Sequence, residues 1–136
     1  MSTRSNIALL NSDKTVEMIY CHSDGYPSYN GKILLENYSD TNRVRALLAQ
    51  GDVSCLAPEI GEKHGFDWMD RPEGVCTFYA RDRDEKGVES QTVRSVRAAI
   101  MAMEEYLYLW DLRTKTWSFS DHGGPLQPLT EAACKE

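Results

Sequence analysis

RSNIALL (residues 4–10), NSDK (11–14) and TVEMIYC (15–21) decide the fold: two short apolar, β-branched runs separated by four polar turn formers. Such a unit reads as a β-hairpin. In the second run Val16, Met18 and Tyr20 alternate with Thr15, Glu17 and Ile19, which gives one clearly apolar face. The signal recurs late in the chain, where YLYLWDL (106–112) and TWSFS (116–120) flank Arg113-Thr114-Lys115. Strand pairs that run consecutively leave no room for helical crossovers between parallel neighbours. An antiparallel sheet is therefore the economical expectation.

Between the hairpins the periodicity changes. Pro27 disfavours helix at Tyr26, and Ser28 is placed to cap a helix beginning beside it. From Tyr29 to Tyr38 the pattern is helical, through Ile33, Leu34 and Leu35. Asp40 then reads as the N-cap of a second short helix with Val44, Leu47 and Leu48 on its buried stripe and Gly51 as its stop. Residues 52–74 hold Pro58, Gly61, Gly65, Pro72 and Gly74 with no sustained period, and read as a long loop with room for one helical turn. A loop of that length in a small domain is commonly functional. VCTFYAR (75–81) reads as a strand. Val93, Val96, Ile100 and Met103 then mark a helix capped by Ser90 or Thr92.

The expected fold is α+β in the order ββαα–loop–βαββ: an antiparallel sheet of about five strands with two to three helices on one face. Residues 1–122 form the single domain, with the acidic loop at 52–74, and 123–136 a C-terminal tail. The last hairpin, with Trp110 and Trp117, is a candidate edge for pairing across a two-fold axis.

Composition fits this picture. The 136 residues are 41% hydrophobic and 26% charged, which is globular rather than disordered. No apolar run approaches the roughly 20 residues that span a bilayer. The apolar stretch of the N-terminal MSTRSNIALLNSD is too short for a signal peptide, so the expected location is the cytoplasm. Cys21, Cys55, Cys76 and Cys134 are widely spaced and are expected as reduced thiols. The net charge is −6, and Asp52 to Glu73 holds six acids against two bases. That balance disfavours direct nucleic-acid binding, which needs clustered Lys and Arg.

Two candidate sites stand out. His22, Asp24 and Tyr26, with Ser23 and Cys21 beside them, occupy a polar turn at the end of a strand. There His22 could act as acid or base with Asp24 as orienter. The competing reading is a structural turn made by Asp24-Gly25, with Tyr26 and Pro27 packed on the helix. The second candidate is HGFDWMDRP (64–72), where Phe66, Trp68 and Met69 alternate with Asp67 and Asp70. Aromatic anchors ringed by charge suit a protein-binding surface. The competing reading is that the rings tuck the loop onto the domain. His22, His64, His122 and the cysteines lack the close paired spacing of metal ligands, so neither a metal nor a cofactor is expected. Phosphate-loop, nucleophile-elbow and zinc-protease motifs are missing from the sequence.

STRSNIA at the start, IYCHSDGYPSYNGKILLENY and EYLYLWDLRTKTWSF together resemble a group of small uncharacterised proteins carried by bacteriophages and prophages. The resemblance covers most of the chain, and H-S-D-G-Y-P before Gly31 is its most specific part. It brings no catalytic residue with it. It implies a phage gene expressed inside a bacterium, where small acidic proteins often block host machinery such as nucleases and CRISPR complexes. The functional expectation is a non-catalytic binding protein that inhibits or adapts a bacterial host protein or complex, of anti-CRISPR or anti-restriction type. The alternative is a small hydrolase or nucleotide-modifying enzyme using the His22/Asp24/Tyr26 turn.

Overall fold

The first hairpin forms where the sequence places it. β1 (Ser5–Leu10) and β2 (Val16–Cys21) pair antiparallel, from Ser5↔Cys21 to Leu10↔Val16, in the computed structural model, which describes residues 2–135. In its turn Asn11 N–H donates to the Thr15 carbonyl (2.9 Å), and Asp13 Oδ1 accepts from Thr15 N–H (3.0 Å). Short polar side chains that capture backbone groups in this way stabilise turns.

A single π-helical turn (Pro27–Gly31) runs directly into α1 (Lys32–Asn37), and α2 (Thr41–Ala49) comes next. Pro27 opens the turn, where its missing N–H costs nothing. Ser28 lies inside that turn rather than capping it, and Tyr26 holds the cap position without a side-chain bond. Asp40 caps α2 as expected, its Oδ2 accepting from Arg43 N–H (3.2 Å). Gly51, at φ 80°, ends the helix; a Cβ there would lie 2.5 Å from the Val88 carbonyl oxygen.

The middle of the chain departs from the expectation. β3 (Val53–Cys55) opens the stretch read as a loop, and β4 is only Thr77–Phe78. The chain then turns into α3 (Tyr79–Arg83), where the strand was expected to continue. Asp82 explains the break: its Oδ2 accepts from Phe78 N–H at 2.8 Å, which folds the backbone back on itself. β5 (Gln91–Val93) occupies what was read as the start of a helix. α4 (Val96–Ala102) begins later, capped by Ser95, whose Oγ accepts from Ala98 N–H (3.0 Å). β6 (Tyr106–Asp111), β7 (Thr116–Asp121) and β8 (Gln127–Pro128) follow, and a single 3-10 turn (Ala133–Lys135) comes last among the described residues.

The fold is α+β, but the sheet is mixed and larger than expected. Its order is β4-β3-β2-β1-β6-β7-β8, with β5 pairing the free stretch of β2, eight strands among the described residues. β1 and β6 run parallel over their whole length, and β2 meets β3 in parallel at Cys21↔Val53. The hairpin signal fixes how sequence neighbours pair but is silent on how two hairpins join. Ile7, Ala8 and Leu9 of β1 and Leu107 to Trp110 of β6 are all buried, so both strands are driven to the centre, side by side.

Burial of alternate residues on both faces also moves a helix. Ile7, Leu9, Ile19, Tyr108 and Trp110 pack with Leu34, Val44 and Leu47 of α1 and α2. Ala8, Val16, Met18, Leu107 and Leu109 face Ala99 of α4 on the other side. Helices therefore cover both faces, not one. Trp110 and Trp117 are buried rather than at an edge, edge-to-face at 5.4 Å. Such a pair adds about 0.5–1.5 kcal/mol beyond the area it buries. Residues 123–135, expected as a tail, supply β8 along β7 and bury Leu129 and Cys134.

Candidate binding cleft

The H-S-D-G-Y-P turn is fixed from several sides. Asp24 sits at φ 56°, and Gly25 N–H donates to the Thr3 carbonyl (2.8 Å) while its own carbonyl accepts from Tyr108 Oη (2.6 Å). A Cβ on Gly25 would come within 2.8 Å of Ser5 Cβ, so the close approach admits only glycine. Buried Asn30 ties the turn to the core, donating to the Ser23 carbonyl (3.1 Å), to Cys21 Sγ (3.2 Å) and to Ser5 Oγ (3.3 Å). These are the bonds of a built turn.

Its titratable groups diverge. His22 Nδ1 is hydrogen-bonded to Tyr20 Oη (2.7 Å), and the ring borders an open cavity of about 490 Å³ with Arg4, Glu104 and Glu105. Asp24 Oδ1 instead accepts from Tyr26 Oη (3.2 Å) and faces a different cleft. Among the described residues no hydrogen bond joins His22 to Asp24 or Tyr26. Burial raises the Tyr20 hydroxyl above its ordinary range, against the pull of nearby Arg4.

The aromatic and apolar side chains of the 64–72 loop divide between the domain and the surface. Phe66 is half-buried, its ring 5.6 Å from that of Tyr79 and flanked by the guanidinium carbons of Arg83 (4.5 Å) and Arg71 (4.9 Å). Phe66 tucks the loop down. Trp68 and Met69 do the opposite: within the one-turn helix Trp68–Asp70 they are 79% and 93% exposed, flanked by exposed Asp67 and Asp70. Arg71 braces this shape, its Nε donating to the Phe66 carbonyl (2.8 Å) and its guanidinium lying 5.5 Å from the Trp68 ring.

The base of the loop is held by α3. Asp82 Oδ1 accepts from His64 N–H (3.0 Å), and Arg81 donates to the Ile60, Gly61 and Cys76 carbonyls at 2.8–3.0 Å. Burial alone would raise the Asp82 carboxyl, but bonds from Arg81, Phe78 N–H and His64 N–H overcome it and hold the group below the usual range. Asp82 itself is buried.

Turn and loop meet. Asp24 and Tyr29 on one side, and Trp68 and Arg71 on the other, line one cleft of about 370 Å³ with Cys55 and Thr77 at its wall. Tyr29 is 41% exposed and sits edge-on to exposed Tyr26 at 6.4 Å. Among the described residues, Tyr26, Tyr29, Trp68 and Met69 are four of the five exposed large apolar side chains, the fifth being Met101 on α4. Sequence reasoning singled out Asp24, Tyr26, Trp68 and Met69 as members of two separate sites and missed Tyr29, Cys55, Arg71 and Thr77. Cys55 and Thr77 become neighbours only through β3–β4 pairing, which no local pattern announces.

Among the described residues, no group of three or more His, Cys, Asp or Glu converges as a cation site. No helix among the described residues is long and apolar enough to cross a membrane. Comparison of the chain with protein-family models, curated proteins and solved structures finds no match.

Proposed function

We propose that this chain is a non-catalytic binding protein whose contact surface is the cleft between the 24–29 turn and the 64–72 loop. The observation that carries the reading is the meeting of exposed Tyr29 and Trp68, from segments about forty residues apart, on one cleft with Asp24 and Glu73 at its rim. Exposed Trp and Tyr rings supply large contact area at low conformational cost, and a charged rim sets partner choice and association rate. Such a patch is what a folded protein presents to a partner.

On the resemblance drawn from the sequence, the partner is a bacterial host protein or complex in the cytoplasm, one that handles nucleic acid in defence. The acidic rim favours a basic face on that partner. The protein acts as inhibitor or adaptor, of anti-CRISPR or anti-restriction type. The hydrolase alternative has less support, because it needs Asp24 or Tyr26 beside His22, and their hydrogen bonds run elsewhere.

Affinity capture from bacterial lysate, compared between the parent chain and Trp68→Ala, Tyr29→Ala and Asp67→Ala/Asp70→Ala, tests the surface. Each variant should stay folded and lose the specific partner. Folded variants that retain every partner would reject the assignment.

A further inference from the structure

Three of the four cysteines are buried. Cys21 is fully buried, and burial pushes its thiol up to about 12; burial likewise raises Cys76 and Cys134. A thiol held protonated is a poor nucleophile at neutral pH.

Cys55 stands in a different setting. It is half-buried at the wall of the 370 Å³ cleft, and Arg71 Nη1 donates to its Sγ at 3.3 Å. That guanidinium N–H sets positive charge directly beside the sulfur. Cys55 is paired directly with Thr77 across β3 and β4, so the two side chains share a face. Thr77 is 1% exposed, lines the same cleft, and its Oγ1 has no hydrogen-bond partner among the described residues. Buried hydroxyls are nearly always paired, and this one is a free donor in the cleft wall. Asp24 and Glu73 at the rim repel anionic reagents and leave small uncharged ones free to enter.

We propose that Cys55, Arg71 and Thr77 form a peroxide-reactive thiol site. The Cys55 thiolate attacks one oxygen of hydrogen peroxide. An S–O bond forms as the O–O bond breaks, sulfur is oxidised to the sulfenic acid, and the departing hydroxide takes a proton from solvent to leave as water. Arg71 orients the sulfur through its N–H, and the Thr77 hydroxyl donates to the oxygen on which negative charge develops. The site stands independently of the binding reading above.

Hydrogen peroxide at pH 7 with dimedone as sulfenate trap, followed by peptide mass spectrometry, tests it on the full chain. The adduct should appear on Cys55 alone, forming about tenfold faster than on Cys55 of the urea-unfolded chain, the factor that one charge-assisted hydrogen bond confers. Formation no faster than in the unfolded chain, or equal labelling of Cys21, Cys76 or Cys134, would overturn the proposal. Thr77→Val separates a built site from a merely accessible thiol. It should slow peroxide oxidation several-fold while leaving iodoacetamide alkylation of Cys55 unchanged, since alkylation makes no use of the hydroxyl. Equal peroxide rates in parent and Thr77→Val would remove Thr77 from the site and reject it as built here.

Discussion

Trp68 and Thr77 show how unevenly single residues share the work of this surface. Trp68 is 79% exposed, so its ring contributes little to the fold and, on the proposed function, is free to supply contact area. Trp68→Ala should change the unfolding free energy by no more than about 0.5 kcal/mol, measured by urea titration, as surface substitutions generally do. Thr77 is the reverse. Its buried hydroxyl is unpaired, and Thr77→Val should leave stability unchanged or raise it by about 1 kcal/mol in the same titration, because a desolvated orphan is removed. A loss above roughly 1 kcal/mol would mean that the hydroxyl has a partner in solution.

At the scale of elements, α3 and the 56–74 segment behave as one unit through Asp82. Asp82→Ala strips the acceptor from Phe78 N–H, His64 N–H and Arg81 together, and should destabilise the protein by about 3 kcal/mol. Hydrogen exchange should show the loss concentrated at 60–71, with β1 and β6 protected. The carboxyl also sets an acid limit. Its folded value lies below its unfolded one, so its stabilisation is complete above the ordinary carboxylate range and is lost as pH falls through the lowered folded value. Asp52 works in the opposite sense: burial raises it against the bond from Tyr20 N–H (2.8 Å), so it opposes folding when ionised and ceases to as pH falls. Asp82→Asn should therefore flatten the acid limb of a stability–pH profile measured by urea unfolding. An unchanged limb would assign acid sensitivity to other groups.

Elements whose signals are local were legible in the sequence. Both hairpins, the Asp40 cap and the Gly51 stop depend on a few adjacent residues, and each forms where read. What was missed depends on distant partners. β3 and β5 are three residues each and exist because β2 offers them an edge. α3 replaces a strand because one buried carboxylate captures Phe78 N–H.

Across the whole molecule the same distinction separates the cleft from its components. Tyr26 and Trp68 stand out as exposed-type aromatics in polar surroundings, yet only the long-range pairing of β2 with β3 and of β3 with β4 brings the turn and the loop to one cleft. The parallel joining of β1 to β6 is equally non-local, and it fills both faces of the central strands. Among the described residues, the outer surface is left with one aromatic concentration and one isolated exposed apolar side chain, Met101 on α4, across the sheet from α1 and α2. That contrast supplies the most direct test. A photo-crosslinking side chain placed at Met69 or at Met101, in the full chain expressed in bacteria, samples the two surfaces under identical conditions. Irradiation should give a discrete cross-linked species from position 69 and none from position 101; a discrete product from position 101 alone would contradict the assignment of the cleft as the contact surface.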